Sequence, residues 1–430
     1  LEEKNRQIDI YRKTSSVVDD LQALRERIDE LRRDAYQDLN EILLDDFNRL
    51  GIQFEDVQIN GKAKKRQLTT ANIERLNPFH WGYEFDEIIQ TRGGFDVIIA
   101  NPPWEIFKPI DREFAKRYDE NIDRRVSTKA EFKAVLDKML ENPEIRRDYL
   151  DYLSSFPHVS AFYRADSHYT HQTGVVNGRK VGSDINLYKL FTEQSYKLLR
   201  DGGLCGIVLP SGIYSDLGTK QLRELLFSQT HITGLFSFEN RKGIFEGVDS
   251  RFKFVVLTFR KNGTTKKFPA AFMRHDVKDL ERFPNSDSIL IDVSMLQRLS
   301  PDSLSVTEFQ SELDVQIAEK MLKFPMIAED LPGTWNVKLS SEFHMTNDAG
   351  LFRTQPAQGR VPLYEGKMIW HFTAEYAEPR YWVNEKEGRN RVVGARGEDS
   401  GQGLDYQLYR FACRTITGGT NERTMVCSII

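Results

Sequence analysis

The run Phe95–Ala100 is almost continuously apolar and ends at two consecutive prolines, and this feature constrains the fold more than any other. Pro102 and Pro103 have a fixed φ and no backbone donors, so a strand through this run has to stop there. A nearly continuous apolar run indicates a strand covered on both faces. In an open α/β sheet, the carboxyl ends of such strands border the ligand sites. The sequence therefore predicts a rigid corner that presents Asn101 and Trp104 at a ligand-binding edge.

Further strand-like runs follow along the chain, and helical segments separate the first ones. They are Gly203–Pro210, Ile232–Phe238 and Phe252–Phe259. The first of them is also almost continuously apolar and follows a helix predicted at about 186–200. Other helices are predicted near 111–155. Strands that alternate with helices predict a doubly wound α/β sheet.

Residues 1–50 carry an apolar stripe between charged faces, which predicts a helix. The stripe consists of Val17, Leu21, Leu24, Ile28, Leu31 and Ala35. We interpret it as a long helix or a helical hairpin packed on a neighbour, with a dimerising coiled coil as the alternative. The basic run Lys62–Arg66 follows a glycine and is interpreted as a solvated loop rather than a phosphate contact.

Composition and pattern divide the chain into four segments. Residues 1–75 form a helical spacer, and residues 76–275 carry the strands of the sheet. Residues 276–330 resemble a connector with one amphipathic helix around Ser311–Phe324. Residues 331–430 are rich in glycine, arginine and aromatics and contain short strand-like runs, so they are predicted to form a further domain.

The charge balance excludes a uniformly basic protein. The chain has 60 basic and 64 acidic residues, and residues 1–50 alone hold 13 acids and 9 bases. Because the remainder is balanced, any face that binds nucleic acid has to be a local patch. No stretch approaches the roughly 20 consecutive apolar residues of a transmembrane helix, so we expect no membrane partner.

Cysteine and histidine spacing gives no metal site or cross-link. Cys205, Cys413 and Cys427 are far apart in the sequence. They therefore imply neither a disulfide framework nor a thiolate zinc site, and a reducing cytoplasm is expected. His168 and His171 lie in a turn-rich stretch with no third ligand nearby, so we interpret them as loop residues and expect no metal.

The predicted corner offers an amide side chain, an unpaired carbonyl and a large aromatic face. These groups suit methyl transfer to an exocyclic amine, whose lone pair is delocalised into its ring. Asn101 Oδ1 and the Pro102 carbonyl would accept both amine hydrogens and localise the lone pair for in-line attack on a sulfonium methyl. Stacking on Trp104 would return about 1–3 kcal/mol of the cost of taking a base out of a duplex. The alternative is a turn with an incidental asparagine and tryptophan.

The corner and its surroundings resemble the gamma-class adenine-N6 DNA methyltransferases, particularly the fused type IIG restriction–modification enzymes. The resemblance covers about residues 78–262 in order and spacing. The similar stretches are Pro78–Phe85, Gly93–Trp104, Asn186–Phe191, Leu198–Gly203, Val208–Ser211 and Phe252–Phe259. The resemblance implies a Rossmann-like methyltransferase sheet, of which residues 76–275 would form the C-terminal, catalytic half.

The resemblance implies a site-specific transfer of a methyl group to N6 of an adenine flipped out of double-stranded DNA. Asn101 and Pro102 would hold N6, within a catalytic motif that Pro103 and Trp104 complete. Trp104 would stack on the adenine. Phe259 matches an aromatic that sandwiches the base from the other side, although a core phenylalanine is an equal interpretation.

The methyl donor implied by the resemblance is S-adenosylmethionine. Phe191 matches an aromatic that lines the cofactor's adenine pocket, next to Asn101, with core packing as the alternative. The family's Gly-rich cofactor loop was not found, because Gly93–Gly94 precedes the catalytic strand and Gly202–Gly203 is interpreted as a helix end. The chain starts at Leu1 without a signal core and reads as an internal segment.

The fragment interpretation defines the expected partner. The missing N-terminal part of the same polypeptide would carry the cofactor loop and, where the parent protein has one, a nuclease domain. The isolated chain is then expected to be inactive. A prokaryotic cytoplasm is the location that the resemblance implies.

Two stretches resemble the family's target-recognition region, which implies a partial α+β recognition domain at 331–430. They are Val361–Met368 and Arg414–Met425. The residues predicted to bind DNA are Lys367, Arg414, Asn421 and Arg423. Arginine and asparagine are suited to reading base edges.

Two alternative functions stay open. Asn-Pro-Pro followed by an aromatic also suits enzymes that methylate a glutamine amide or an RNA base, because each acts on a planar nitrogen. The second alternative is a DNA-binding specificity module without catalysis of its own.

Overall fold

The computed structural model forms two compact units, Leu1–Pro325 and Met326–Ile430. The residues that the structure describes are 1–13, 18–58, 61–126, 128–176, 179–181, 184–286, 288–326, 329–333, 337, 340–394, 399–417, 421–423 and 425–430. No helix among them is long and apolar enough to cross a membrane.

The first unit begins with a helical hairpin and a small β-hairpin. Helices α1 (Glu2–Lys13) and α2 (Val18–Arg49) lie against each other, as predicted, and the Arg25 guanidinium donates to Tyr11 Oη at 2.7 Å. Strands β1 (Phe54–Val57) and β2 (Ala63–Arg66) are antiparallel and are followed by helix α3. The range of α3 is Thr70–Leu76.

The prediction of a loop at Lys62–Arg66 is wrong, because Ala63–Arg66 is strand β2. Gly61 has a φ of +73° and closes the turn, which returns the basic run along β1. Lys65 pairs with Glu55 at 3.1 Å, and Arg66 pairs with Asp56 at 3.1 Å. Such cross-strand charge pairs favour a strand whose own residues are polar.

A mixed six-stranded sheet forms the centre of the first unit, in the order β10-β9-β7-β8-β6-β3. Its strands are β3 (Phe95–Ala100), β6 (Leu199–Pro210), β7 (Thr230–Glu239), β8 (Lys253–Lys261), β9 (Lys267–Arg274) and β10 (Ile289–Asp292). β3 is parallel to β6 and β7 is parallel to β9, whereas the other neighbours are antiparallel. All four predicted strand runs are therefore strands of one α/β sheet.

The expectation that β3 is covered on both faces is wrong for the residues that the structure describes. β3 is an edge strand, and its Val97 and Ile99 side chains are 53% and 85% exposed. Its other edge follows β6 closely, since a Cβ on Gly94 would overlap the backbone of Leu198 and Arg200. Gly94 also has a φ of +132°, which glycine adopts without strain.

A helical insertion separates β3 from β6. Its elements are α5 (Asp111–Lys116), α6 (Ile122–Arg125), α7 (Lys129–Met139), α8 (Pro143–Ser154) and α9 (Pro157–Ala165), with the short strands β4 (Gly174–Val176) and β5 (Arg179–Val181). The short helix α4 (Trp81–Glu84) precedes β3 and is not part of the insertion. Helix α10 (Leu187–Leu198) then leads directly into β6, which confirms the helix predicted at about 186–200. Gly202 and Gly203 lie within β6 and not at a helix end.

The segment 276–330 is more than a connector, because it contributes an edge strand to the main sheet. β10 pairs with β9, and α13 (Val293–Leu299) follows it. The predicted amphipathic helix around Ser311–Phe324 is confirmed as α14 (Glu312–Met321). Helices α11 (Gly212–Ser215) and α12 (Lys220–Gln229) connect β6 to β7.

The second unit combines two small antiparallel sheets with one helix. One sheet has the order β11-β13-β12 and the other pairs β14 with β15. The elements are β11 (Phe352–Arg353), β12 (Arg360–Pro362), β13 (Trp382–Asn384), α15 (Glu385–Val393), β14 (Phe411–Cys413) and β15 (Cys427–Ile429). Its buried apolar residues include Met368, Ile369, Val383 and Val426.

Candidate active site

The Asn101–Trp104 corner lies where two parallel strands end side by side. Ala100 is the last residue of β3 and pairs with Ile207 of β6. Pro102 is buried, whereas Asn101 and Pro103 are exposed. The buried proline fixes the backbone, and the exposed amide points to no partner among the described residues, none of which hydrogen-bonds it. The corner therefore leaves the polar groups of Asn101 available.

Trp104 is half-buried and is held by an aromatic cluster. Its indole Nε1–H donates to the carbonyl of Val208 at 3.3 Å, at the end of β6. The indole stacks on Phe252 with ring centroids 5.5 Å apart and planes 9° apart. Phe245 meets it edge-on at 5.2 Å. The tryptophan therefore packs against the loop that precedes β8.

Asn240 organises that loop and was not predicted from the sequence. It is 1% exposed, and its Nδ2 donates to the carbonyls of Phe245 at 2.9 Å and Val248 at 3.0 Å. Its Oδ1 accepts from the Phe245 N–H at 2.9 Å, and its own N–H donates to the Phe252 carbonyl at 2.9 Å. The signal in the sequence was an asparagine two residues after the end of the predicted strand Ile232–Phe238.

Phe259 lies away from the corner, in the core of the sheet. It is fully buried and lies opposite Cys205 on β6 and Ile232 on β7. Because β8 is antiparallel to β6, the carboxyl end of β8 lies at the opposite end of the strands from Asn101. The position agrees with the core interpretation. The aromatics of this strand run that stack on Trp104 are Phe252, which is 36% exposed, and the buried Phe254.

Phe191 lies on α10 and is 45% exposed, so its ring is not part of the core of the described residues. Helix α10 begins beside the corner, because the Leu187 N–H donates to the Glu105 carbonyl at 3.0 Å. The Phe107 N–H likewise donates to the Ile185 carbonyl at 2.7 Å. The chain segment after Trp104 and the start of α10 are thus held together.

The loop with His168 and His171 is tied to α10 by a buried carboxylate. Glu193 has no exposed surface and accepts from Gln172 Nε2 at 2.6 Å, contacts His171 Nδ1 at 2.9 Å and pairs with Lys197 at 3.1 Å. Burial acts to raise the pKa of Glu193, but the hydrogen bonds of His171 and Gln172 outweigh it and lower that pKa. Within the described part of the chain, no group of three metal-ligating side chains could hold a metal ion.

The end of the sheet at which the corner lies carries charges of both signs. Glu239, at the end of β7, pairs with Arg241 at 2.7 Å and with His275 at 3.1 Å. The Arg241 guanidinium, with a smaller contribution from His275, holds the pKa of Glu239 below its usual range. Lys253 pairs with Glu308 at 2.6 Å. This end of the sheet therefore carries acidic as well as basic side chains.

The residues predicted to bind DNA lie in the second unit, where the structure brings two of them together. The Arg414 guanidinium lies 4.8 Å from the Trp370 ring centroid and donates to the Ile369 carbonyl at 2.9 Å and the Lys367 carbonyl at 3.5 Å. Asn421 is half-buried and Arg423 is exposed. Residues 418–420 and 424 of the predicted recognition stretch lie outside the described residues.

The described residues fit a nucleoside cofactor only in part. The exposed Phe191 ring and the Asn101 amide are groups that bind an adenine ring and a polar substituent. No Gly-rich turn between a strand and a helix precedes β3 in the described residues, because the elements there are a helical hairpin, a β-hairpin and short helices. The described residues ahead of β3 thus provide no such turn for the remaining parts of a cofactor.

Comparison with known proteins gives a family match over the same region. Residues 23–140 and 164–245 match the model of the Eco57I restriction-modification methylase family. A stretch of 113 residues is 34% identical to a Methanocaldococcus jannaschii protein named as a type II restriction enzyme and methyltransferase. That stretch covers 26% of this chain and 9% of the relative, so the chain spans a small part of its relative's length.

The solved structures matched to this chain include restriction–modification proteins, all at TM-scores of 0.30 or lower. The methyltransferase subunit of a type I restriction-modification system from Streptococcus thermophilus has 14% identity and a TM-score of 0.30 over 51% of this chain and 38% of that one. The DrdV–DNA complex has 14% identity and a TM-score of 0.26 over 47% of this chain and 18% of that one. Over residues 23–140 and 164–245, which are less than half of its length, the chain is similar to the Eco57I restriction-modification methylase family.

Proposed function

We propose that this chain provides the target-base half of a site-specific DNA adenine-N6 methyltransferase that uses S-adenosylmethionine. It would act within a restriction–modification enzyme of the type IIG kind, in a prokaryotic cytoplasm. The observation that carries the proposal is the corner itself. An exposed Asn101 amide without a partner among the described residues follows the last β3 residue, and the half-buried Trp104 stands beside it.

The corner acts on the amine through its acceptors. Asn101 Oδ1 and the Pro102 carbonyl accept the two N6 hydrogens and draw the nitrogen towards tetrahedral geometry. The lone pair would then bond to the methyl carbon that the cofactor supplies, as the carbon–sulfur bond breaks and the neutral thioether leaves. The surplus N6 proton would pass to the accepting oxygens and from there to water. No strong base is required, because fixed acceptors in a rigid backbone stabilise the charge that develops on the nitrogen.

The target adenine would bind at the aromatic cluster. Trp104 provides the first stacking face, and Phe252 is the partner that its position favours over Phe259. The two rings already stack on each other at 5.5 Å, so a base that enters between them has to displace one ring. The Phe252 side is the movable one in this proposal, because Phe252 precedes β8 and is 36% exposed, whereas Trp104 follows the two prolines and donates to the Val208 carbonyl.

The exposed edge of β3 is the surface at which the cofactor-binding half would pair. An unpaired strand edge presents free N–H and C=O groups, and Val97 and Ile99 add an uncovered apolar face. The partner is the N-terminal part of the same polypeptide, with the cofactor loop. Phe191 and Asn101 would then complete the cofactor site from this side.

The second unit would recognise the DNA sequence. Lys367, Arg414, Asn421 and Arg423 are the proposed contacts with double-stranded DNA. Arg414 is partly occupied by backbone carbonyls and by the Trp370 ring, so a role in positioning the recognition surface suits it. The exposed Arg423 is the better candidate for a direct contact with a base edge or phosphate.

Transfer of a labelled methyl group tests the proposal. The chain and a version extended upstream are each incubated with labelled S-adenosylmethionine and mixed-sequence DNA, and the DNA is digested to nucleosides. Label in N6-methyladenine with the extended version alone supports both the chemistry and the two-half arrangement. Label in RNA or in a glutamine amide would mean that the substrate is an RNA base or a protein side chain and not DNA adenine. Specific DNA binding by both versions without label in any substrate would favour the specificity module.

A further inference from the structure

The cysteines Cys413 and Cys427 are distant in the sequence but directly opposite in the fold. They form one register pair of the antiparallel strands β14 and β15 in the second unit. They are not recognisable as a pair from the sequence, because 13 residues separate them. The third thiol, Cys205, is buried in β6 of the first unit.

The hydrogen bonds of the ladder identify the kind of pair that the two cysteines form. Arg410 and Ile430 exchange both backbone bonds, at 2.9 and 2.8 Å, and the Arg414 N–H donates to the Val426 carbonyl at 2.9 Å. Bonded and non-bonded pairs alternate in an antiparallel ladder, so Cys413–Cys427 is a non-hydrogen-bonded pair. Such pairs have Cα atoms about 4.5 Å apart, which lies within the disulfide range of about 4.4–6.8 Å.

Both thiols lie on the exposed face of the hairpin. Cys413 is exposed and Cys427 is partly exposed, next to the exposed cross-strand pair Phe411 and Ile429. Partial burial, together with the nearby Cys427, raises the pKa of the Cys413 thiol. A soluble oxidant can therefore reach both sulfur atoms, whereas the burial of Cys205 protects the third thiol.

We propose that Cys413 and Cys427 are a reversible redox site that closes as an intrachain disulfide. With oxidised glutathione as the oxidant, one cysteine thiolate attacks a glutathione sulfur, forms a mixed disulfide and releases one glutathione. The second cysteine thiolate then attacks the cysteine sulfur of the mixed disulfide and releases the second glutathione. Two cysteine thiols are oxidised, one disulfide of the oxidant is reduced, and the two thiol protons end on the released glutathione molecules.

The disulfide would close the segment 414–426 at its base. This segment carries Arg414, Asn421 and Arg423, so oxidation would restrain the proposed recognition surface. That consequence rests on the proposed function, whereas formation of the disulfide does not. The two are tested separately, since thiol chemistry requires neither DNA nor methyl transfer.

Thiol counting on the intact folded chain tests the site. The chain is incubated with oxidised glutathione, quenched with acid and denatured, and its remaining thiols are titrated. We expect the count to fall from the 3 cysteines of the sequence to the Cys205 thiol alone, and to return on reduction. A non-reducing tryptic digest should link Phe411–Arg414 to residues 424–430. An unchanged count, glutathione retained on either cysteine, or a link between two chains would each overturn the proposal.

A register-shifted variant is the matched control. Ala412→Cys combined with Cys413→Ser keeps the number of thiols but moves one of them to the opposite face of β14. No linked peptide is expected from this variant under the same oxidation. Equal linking in the variant, or in the native chain held in urea, would show that the strand register does not create the site.

Discussion

The two edge strands of the six-stranded sheet are completed in different ways. At the β10 edge, the Leu290 N–H donates to the Glu312 carboxylate at 3.2 Å, and Ile289 and Ile291 are buried. β10 is also only 4 residues long. At the β3 edge, the apolar Val97 and Ile99 stay exposed. Short strands and side-chain hydrogen bonds commonly protect an edge strand from pairing with a further strand. β10 is protected in this way, whereas β3 is not.

The residues that follow the two edge strands differ in the same sense. Asp292, at the end of β10, accepts from the Ser294 N–H at 2.8 Å and pairs with Lys267 at 3.3 Å. Asn101, after β3, has no side-chain hydrogen bond to any described residue. One polar side chain is committed to the fold, and the other is available for a ligand. The comparison supports the proposal that the β3 edge serves function, whereas the β10 edge serves stability.

Asn101→Ala is expected to have the largest effect, and only on catalysis. Loss of one preorganised acceptor at the amine should lower methyl transfer by the extended protein about 10²–10³-fold. The Tm should not change, because Asn101 is exposed and has no partner here. Initial rates of N6-methyladenine formation and thermal unfolding measure the two effects. Asn121→Ala, at another exposed asparagine, is the control, and an unchanged rate in Asn101→Ala would exclude the proposed mechanism.

A charged residue placed on each edge strand tests whether β3 and β10 differ in their need for an apolar side chain. Ile99→Asp should destabilise the extended protein by roughly 3 kcal/mol, because a partner strand would bury the carboxylate. The same change should leave the free energy of unfolding of this chain unaltered, since Ile99 is 85% exposed. Leu290→Asp, on the 50% exposed side chain of β10, should be tolerated in both proteins. Denaturant unfolding of the four variants measures this, and equal tolerance of both changes would remove the special role of the β3 edge.

The strands and the corner could be predicted because their signals are local. Apolar runs identified β3, β6, β7 and β8, and the prolines located the end of β3. The exposure of Val97 and Ile99 could not be predicted, since an apolar strand reads the same whether or not a neighbour covers it. Strand direction was equally hidden. An apolar run does not distinguish a parallel strand from an antiparallel one, so the sequence left Phe259 open between the corner and the core.

Contacts between residues far apart in the sequence were the second feature that could not be predicted. The basic run at β2 reads as a loop until its cross-strand acidic partners are known. Cys413 and Cys427 read as isolated thiols until the register of β14 and β15 places them opposite each other. Asn240 forms its hydrogen bonds within the following 12 residues, but nothing in the local pattern identified the loop it organises.

Trp104→Ala should have an intermediate effect on capture of the flipped base. Loss of the stacking face should weaken binding of DNA with a mismatched target adenine by about 1–3 kcal/mol. Trp104→Phe keeps an aromatic face and should retain most of the affinity. Titration of fluorescent DNA at fixed salt measures both variants, and unfolding curves show how much of any change comes from lost core packing. Equal affinities for the alanine and phenylalanine variants would argue against stacking at this position.

Glu312→Ala tests the protection of the β10 edge and should have the smallest effect. The Glu312 carboxylate accepts from the Leu290 N–H at 3.2 Å, and its removal returns that N–H to solvent. We expect a loss of about 0.5–1.5 kcal/mol in the free energy of unfolding, because the lost bond is replaced by one to water. Glu312→Gln keeps an acceptor oxygen and should recover most of the loss. If the alanine variant also self-associates in sedimentation experiments while the glutamine variant does not, then capping by Glu312 protects the β10 edge as well as stabilising it. A monomeric alanine variant of unchanged stability would mean that the short length of β10 alone closes this edge of the sheet.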